Sequence, residues 1–342
     1  MIVSFFIIKL VYNIKIGGEN MIDIKERVVL GNLPQTIHIK GNDEDNPVLL
    51  FVHGGPGISN RHTVMQTNDD LLDVFTIVAW DQRGTAGSYF KAKAKDLTIE
   101  RFIEDAKELV EYLCKKFNKK KIFVIGGSWG SLLGTRLLNK YPENIAAFVG
   151  FGQFVNGHLN ELISWQYCID EVTKANDLKS LEALKKVGPP EMGIYKGGFA
   201  GMKVQRDIMM KYGGYSKNES KRSYMDAFIK PILKSGEYTL KEIYGYAKGY
   251  KFVLNNMWSQ VGKTDFMKEC TDFDAPIFIF NGRLDMNTPA VLVEDWFNMI
   301  DAPVKELHWF ENSGHNPMMD EEKKFKALLK EKLLKIAKEE NL

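Results

Sequence analysis

Residues 121–130 read KIFVIGGSWG and contain the strongest structural signal in the chain. A short apolar run leads into two glycines, a serine stands at position 128, and the helix-forming run SLLGTRLLNKY begins at residue 131. The pattern G-x-S-x-G between a strand and a helix is typical of a tight turn that holds a serine hydroxyl above a parallel sheet. We therefore predict that Ser128 is a nucleophile and that the backbone N–H of Trp129 faces a developing oxyanion.

Apolar runs on both sides of this stretch predict further strands. Continuous apolar strands are typical of a parallel sheet that is covered by helices on both faces. Residues 98–117 have apolar side chains at helical spacing, with Thr98 as the expected N-cap, so strands and helices alternate in a doubly wound α/β sheet. Residues 27–30 and 35–39 alternate polar with apolar and predict a half-exposed antiparallel hairpin at the sheet edge. The runs predicted as strands are VLLFVH at 48–53, VFTIVAW at 74–80, KIFVIG at 121–126, IAAFVGF at 145–151, PIFIF at 276–280 and VKELHWF at 304–310.

The alternation of strands and helices stops between about residues 152 and 270, where helical and irregular signals dominate. We predict an α/β-hydrolase core of residues 21–151 and 271–342, with residues 152–270 inserted as a helical cap. Residues 1–20 are an uncertain N-terminal extension. Their apolar start, MIVSFFIIKL, is too short to span a bilayer, which takes roughly 20 residues. It is open to three interpretations: an extra strand, a weak membrane anchor, or an upstream start with the true one at Met21.

Two further motifs follow predicted strands. HGGPG at 53–57 follows VLLFV, and a loop of this type supplies the second oxyanion donor in an α/β hydrolase, here the N–H of Gly54 or Gly55. His53 itself is interpreted as structural. WDQRG at 80–84 follows another strand, and we expect Asp81 and Arg83 to pair and to brace the loop near the oxyanion site, with direct contact to the substrate as the weaker alternative.

A serine hydroxyl needs a base to take its proton, and the base needs a carboxylate to orient it. In the α/β-hydrolase fold these groups follow in the order Ser, Asp or Glu, His, each just past a strand. Asp285 follows PIFIF in NGRLD, and His315 follows KELHWF in SGHNP, so we predict Asp285 as the acid and His315 as the base. The weaker alternatives are Asp295 and Asp301 for the acid and His308 for the base.

Composition limits the class of protein. The chain has 342 residues, 44% hydrophobic and 26% charged, which suits a globular protein with a sizeable core. A net charge of +2 gives no argument for nucleic acid. The sequence has three widely spaced cysteines, Cys114, Cys168 and Cys270, and no CxxC motif. It therefore predicts neither disulfides nor a zinc site, as is typical of a protein in the reducing cytoplasm. Nothing in the sequence calls for a metal or an organic cofactor, stable membrane insertion is not expected, and the oligomeric state is open.

HGGPG, WDQRGTAGS and GGSWGS stand in this order at natural spacing, and together they resemble the prolyl iminopeptidase family of serine aminopeptidases. The match runs over residues 45–151 and 275–318. The resemblance implies Ser128, Asp285 and His315 as a triad, a helical cap, and removal of an N-terminal residue, often proline, from a peptide. It also implies that acidic cap residues hold the substrate's ammonium, without singling one out. The candidates are Glu161, Asp170, Glu171, Glu191, Glu237 and Glu242.

Three functions are compatible with these residues. The first is an aminopeptidase acting on short peptides through an acyl-enzyme, which predicts an anionic pocket in the cap. The second is a carboxylesterase or lipase with the same triad, which predicts an apolar, uncharged acyl pocket. The third is a ligand-binding protein that has lost turnover, and the complete set of Ser128, Asp285 and His315 argues against it.

Overall fold

The computed structural model describes residues 12–13, 21–216 and 230–342. The described residues form one nine-stranded sheet. Its strands are β1 (Tyr12–Asn13), β2 (Ile22–Leu30), β3 (Leu33–Gly41), β4 (Val48–Val52), β5 (Thr76–Trp80), β6 (Ile122–Ser128), β7 (Ile145–Gln153), β8 (Ile277–Gly282) and β9 (Lys305–Phe310). Their order is β1-β2-β3-β5-β4-β6-β7-β8-β9, with parallel pairing from β5 to β9 and antiparallel pairing among β1, β2, β3 and β5. The predicted α/β class and mostly parallel sheet are confirmed.

Helices cover both faces of this sheet, because each presents one apolar side to it. On one face, α2, α3 and α10 pack against a core that contains Phe102, Leu132 and Trp296. On the other face, α1 and α12 contribute side chains such as Val64 and Phe325 to a second core. The helices are α1 (Arg61–Thr67), α2 (Ile99–Lys116), α3 (Trp129–Lys140), α4 (Gly157–Lys174), α5 (Leu178–Val187), α6 (Phe199–Lys211), α7 (Lys230–Lys234), α8 (Leu240–Val261), α9 (Phe266–Glu269), α10 (Ala290–Met299), α11 (Pro317–Asp320) and α12 (Glu322–Glu340).

The six apolar runs all form strands whose ends lie within two residues of the predicted ones. The strands from β4 to β8 are buried almost throughout, as expected for a sheet covered on both faces. The strand β9 differs, because only Phe310 of its six residues is fully buried. It lies at the edge of the sheet, where a strand has one neighbour and its polar side chains reach water.

The predicted helix over residues 98–117 is α2, and its expected N-cap is confirmed. The Thr98 side chain accepts a hydrogen bond from the N–H of Arg101 at 3.1 Å. The predicted hairpin is the antiparallel pair of β2 and β3, in which Arg27 faces Thr36. The expectation that this hairpin is half exposed is wrong for β3, because β3 pairs with β5 as well as β2 and is mostly buried.

Between β7 and β8 the described residues form the helices α4 to α9 and no strand of the sheet. The division of the chain at 151/152 and 270/271 stays a prediction. Residues 1–10, whose interpretation was left open by the sequence, lie outside the described residues. Within the described ranges, no helix combines the length and apolar character that a membrane crossing requires.

Candidate active site

Ser128 ends β6, and α3 begins at the next residue, Trp129. The backbone of Ser128 has φ 56° and ψ −122°, a conformation that L-residues rarely adopt and that stores strain of about 1–3 kcal/mol. The turn also needs glycine on either side. A Cβ on Gly126 would lie 2.3 Å from the carbonyl oxygen of Gly130, and a Cβ on Gly130 would lie 2.0 Å from the carbonyl oxygen of Val52. The strand–turn–helix context predicted from G-x-S-x-G is therefore present.

The loops after β8 and β9 bring Asp285 and His315 together. The Nδ1 of His315 lies 2.9 Å from the Oδ2 of Asp285, whose side chain is fully buried. An ionised carboxylate only accepts hydrogen bonds, so this contact fixes the proton on Nδ1 and leaves Nε2 unprotonated, with a lone pair that can accept a hydrogen bond. A neutral imidazole in this orientation is suited to take a proton at Nε2.

Asp285 accepts further hydrogen bonds, from donors that were not predicted from the sequence. Its Oδ1 accepts from the backbone N–H groups of Asn287 and Thr288 at 2.8 and 2.9 Å. Its Oδ2 accepts from the hydroxyl of Thr288 at 2.6 Å. The signal was available, because an aspartate commonly accepts hydrogen bonds from the backbone two and three residues later in a turn. This network holds the carboxylate in place for the imidazole.

Ser128 and His315 line one cavity of about 570 Å³, and Gly54, Gly55 and Trp129 line it too. A volume of this size suits a small-molecule or short-peptide ligand. Among the described residues, the hydrogen bond at Nε2 of His315 goes to the Nδ2 of Asn287, at 3.1 Å. No hydrogen bond between the Ser128 hydroxyl and His315 is formed in this conformation among these residues. The described residues also include no group of three His, Cys, Asp or Glu side chains placed to hold a metal ion.

The residues predicted as oxyanion donors lie beside Ser128. A Cβ built on Gly54 would be 3.5 Å from the Cβ of Ser128 and 3.2 Å from the carbonyl oxygen of Gly127. The N–H of Trp129 lies in the first turn of α3, where the helix itself offers no acceptor. The roles of Gly54, Gly55 and Trp129 in binding an oxyanion stay predictions.

Gln82 connects the loop of His53 and Gly54 to the turn of Ser128 and Trp129. The role of this residue was not predicted from the sequence. Its Nε2 donates to the carbonyl of His53 at 2.8 Å, while its Oε1 accepts from the indole N–H of Trp129 at 2.8 Å. Its backbone N–H donates to the Nε2 of His53 at 3.2 Å, and the Nδ1 of His53 donates to the carbonyl of Gly54 at 2.8 Å. Burial lowers the pKa of His53 to about 4, so the ring is neutral and structural, as the sequence indicated.

The expected pairing of Asp81 with Arg83 is wrong. Asp81 pairs with Arg61 at 2.9 Å, and Arg83 pairs with Asp105 of α2 at 2.8 Å. Asp81 and Arg83 lie beyond the end of β5 at Trp80, and each meets a different helix, because Arg61 is in α1 and Asp105 is in α2. The guanidinium of Arg61 is fully buried and also lies 2.9 Å from Glu237. These ion pairs form through tertiary packing, so the spacing of residues within the motif does not predict them.

Of the six acidic residues considered for the substrate ammonium, Glu161 alone lines the cavity. Its Oε1 contacts the guanidinium of Arg206, while its buried Oε2 has no hydrogen-bond partner among the described residues. Asp207 also lines the cavity, but Lys203 pairs with it at 2.5 Å. The other five are engaged or exposed elsewhere: Asp170 with Gln166, Glu171 with Lys174, Glu191 at the surface, and Glu237 and Glu242 with Arg61.

Known proteins with similar sequences include named aminopeptidases. Over 308 residues the chain is 28% identical to the Bacillus subtilis (strain 168) protein named "Probable aminopeptidase YbaC". The aligned region covers 90% of this chain and 95% of that protein. A proline iminopeptidase of Neisseria gonorrhoeae is 36% identical over 115 residues, or 34% of this chain and 35% of its own length. These similarities confirm the resemblance to the prolyl iminopeptidase family.

Solved structures and a family model agree on the fold. This structure superposes on the crystal structure of the proline iminopeptidase of Mycobacterium smegmatis with a TM-score of 0.63 and 16% sequence identity. The superposition covers 91% of this chain and 98% of that one. At this identity the likeness shows the fold alone. Residues 47–322, well over half of the chain, match the family model described as the alpha/beta hydrolase fold. The chain therefore belongs to the α/β hydrolase family.

Proposed function

We propose that this protein is a serine aminopeptidase that releases the N-terminal residue, proline or a similarly small one, from short peptides. Ser128 is the nucleophile, His315 the general base and Asp285 the carboxylate that orients the base. The proposal is supported by the strained turn at Ser128 and by the 2.9 Å contact between His315 and Asp285. Both Ser128 and His315 line a cavity of suitable size.

The reaction proceeds in two steps. Ser128 Oγ attacks the carbonyl carbon of the first residue while its proton passes to Nε2 of His315. The oxyanion is bound by backbone N–H groups of Trp129 and of Gly54 or Gly55, and each such donor stabilises the transition state by about 3 kcal/mol. His315 returns the proton to the leaving amine, and water then hydrolyses the acyl-enzyme by the same route.

The single observation that favours an amine-bearing substrate is the carboxylate of Glu161. This side chain lines the cavity and is buried, with Oε2 unpartnered among the described residues. A buried carboxylate oxygen without a partner is costly, and a substrate ammonium would satisfy it with a charge-assisted hydrogen bond. A free peptide N-terminus has a pKa near 8 and is mostly cationic at neutral pH. Arg206 contacts Oε1 of Glu161 and not Oε2.

One observation favours an esterase as the second candidate. The cavity has a largely apolar wall that would accept an uncharged acyl chain as well as a prolyl ring. Its apolar and aromatic members include Phe151, Phe154, Phe199, Met202, Leu254 and Trp258.

A set of three substrates separates the two candidates. The purified protein is assayed with prolyl-arylamide, with N-acetyl-prolyl-arylamide and with a short-chain aryl ester. The aminopeptidase predicts turnover of the free-amine amide and at least tenfold slower turnover of the acetylated one, because acetylation removes the charge that Glu161 pairs with. Fast ester turnover with no turnover of the free-amine amide would replace the aminopeptidase by the esterase.

Two variants test the role of Glu161. In Glu161→Gln we expect a higher KM for the free-amine amide, by about tenfold or more, because a charge-assisted hydrogen bond is lost. Ester turnover should change much less. Asp170→Asn is the matched control, since it removes an acidic charge from the exposed side of the same helix, α4, outside the cavity.

The cellular setting is part of the proposal. Cys114, Cys168 and Cys270 are all free and buried. Unpaired cysteines suit a reducing compartment, so we place the activity in the cytoplasm. Short cytoplasmic peptides are then the substrates.

A further inference from the structure

The amide of Asn287 contacts the atom of His315 on which the proposed reaction depends. Its Nδ2 lies 3.1 Å from Nε2, the nitrogen that has to take the proton of Ser128. Because Nδ1 carries the proton that Asp285 accepts at 2.9 Å, Nε2 has one lone pair and no proton. That lone pair accepts the N–H of Asn287, so it is not available to the hydroxyl of Ser128.

The backbone of Asn287 is held from two sides. Its N–H donates to Oδ1 of Asp285 at 2.8 Å, and its carbonyl accepts from Nδ2 of Asn160 at 2.7 Å. Asn160 lies in α4, and its Nδ2 also lies 3.4 Å from Oε1 of the neighbouring Glu161. A continuous path of polar contacts therefore runs from Glu161 through Asn160 and Asn287 to the imidazole.

We propose that Asn287 is a positioning residue that restrains the general base: its amide occupies Nε2 of His315 until it turns away and admits the Ser128 hydroxyl. This inference rests on the proposed function. The contact between Asn160 and the Asn287 carbonyl couples the restraint to α4.

The first measurement needs no activity. The protein has six histidines, so selective 15N-histidine labelling yields few ring signals, and His315→Gln assigns those of residue 315. Loss of a hydrogen-bond donor moves an unprotonated ring nitrogen downfield. In Asn287→Ala we expect the Nε2 signal of His315 to move in that direction. Asn316→Ala is the matched control, since it removes an amide next to His315 in the same cavity without a contact to Nε2.

The second measurement is the rate at which a fluorophosphonate labels Ser128. Breaking one hydrogen bond to Nε2 should accelerate labelling of Asn287→Ala by about two- to tenfold, the range of a single net hydrogen bond. Asn160→Ala removes the contact to the Asn287 carbonyl and should change both readouts in the same direction by less. If Asn287→Ala does not fold, the NMR signal and the labelling rate of Asn160→Ala test the restraint instead.

The outcomes are distinct. A downfield signal with faster labelling supports the restraint. An unchanged Nε2 signal in the Asn287 variant overturns it, and so does slower labelling, which would make Asn287 a support of the base. A wild-type protein that the probe does not label at all would instead remove the proposed function, and the NMR signal would still report on the contact.

Discussion

Replacing Gln82 should separate the function of this residue from its contribution to stability. Its side chain is fully buried and joins the loop of His53 to the turn of Ser128 through the carbonyl of His53 and the indole of Trp129. Gln82→Leu keeps the approximate volume and removes both hydrogen bonds. The indole N–H and the carbonyl are then left buried without their partner.

The expected effect follows from these two bonds. Each buried polar group that loses its partner costs about 1–3 kcal/mol, so Gln82→Leu should lower the free energy of unfolding by about 2–6 kcal/mol. The catalytic effect is separate, because each oxyanion donor contributes about 10²–10³ in kcat. Gln82→Leu loosens the connection between Trp129 and the loop of Gly54, so part of the contribution of the oxyanion donors to kcat should be lost. We therefore expect kcat for prolyl-arylamide to fall by about 10- to 100-fold.

The chain offers a matched control in Gln35. It is also fully buried, accepts from the indole N–H of Trp80 at 3.0 Å and donates to Asp105 at 2.7 Å, but it lies in β3 outside the cavity. Urea unfolding and steady-state kinetics are measured for both leucine variants. Similar losses of stability are expected, with a loss of kcat in Gln82→Leu alone. Equal kcat in the two variants would refute the idea that Gln82 aligns the oxyanion donors.

Three further predictions concern residues around the same site. Asp285→Asn should lower kcat by about 10⁴-fold with little change in KM, because the amide no longer fixes the His315 tautomer; steady-state kinetics checks this. Thr288→Val removes a 2.6 Å hydrogen bond to the Asp285 carboxylate and should lower the unfolding free energy by about 1.5–3 kcal/mol in urea titrations. Burial alone would raise the pKa of Glu237, yet its hydrogen bond to His38 and the charges around it hold that pKa at about 2. Its stabilisation is present above pH 4.5 and is lost as the pH falls towards 2, so Glu237→Gln should cost on the order of 3 kcal/mol at pH 7 and almost nothing at pH 2.

Local signals in the sequence were enough to predict the sheet and the turn of Ser128. The strand β6 and the helix α2 were predictable because apolar periodicity, capping by Thr98 and the glycines of the turn all favour the same structure. Asp285 and His315 were predictable from their order and from their places after β8 and β9, and the 2.9 Å contact between them agrees with that order.

Contacts between distant elements were not predictable in the same way. The partner of Asp81 is Arg61, which α1 brings to it, and a reading of the WDQRG motif by itself favoured Arg83. Glu161 was one of six acidic candidates, because an acidic residue on a helix has the same local pattern at the surface and in a cavity. Exposure of β9 depends on its place at the sheet edge, which the run of apolar residues does not specify.

The proposed function depends on the role of Ser128 as a nucleophile that His315 activates. It is tested most directly by peptide mass spectrometry after reaction with a fluorophosphonate. We expect one equivalent of label on the peptide that contains Ser128, no label in Ser128→Ala, and labelling slowed by at least 10³-fold in His315→Gln. Label on another residue, or undiminished labelling of the Ser128→Ala protein, would show that Ser128 is not the nucleophile.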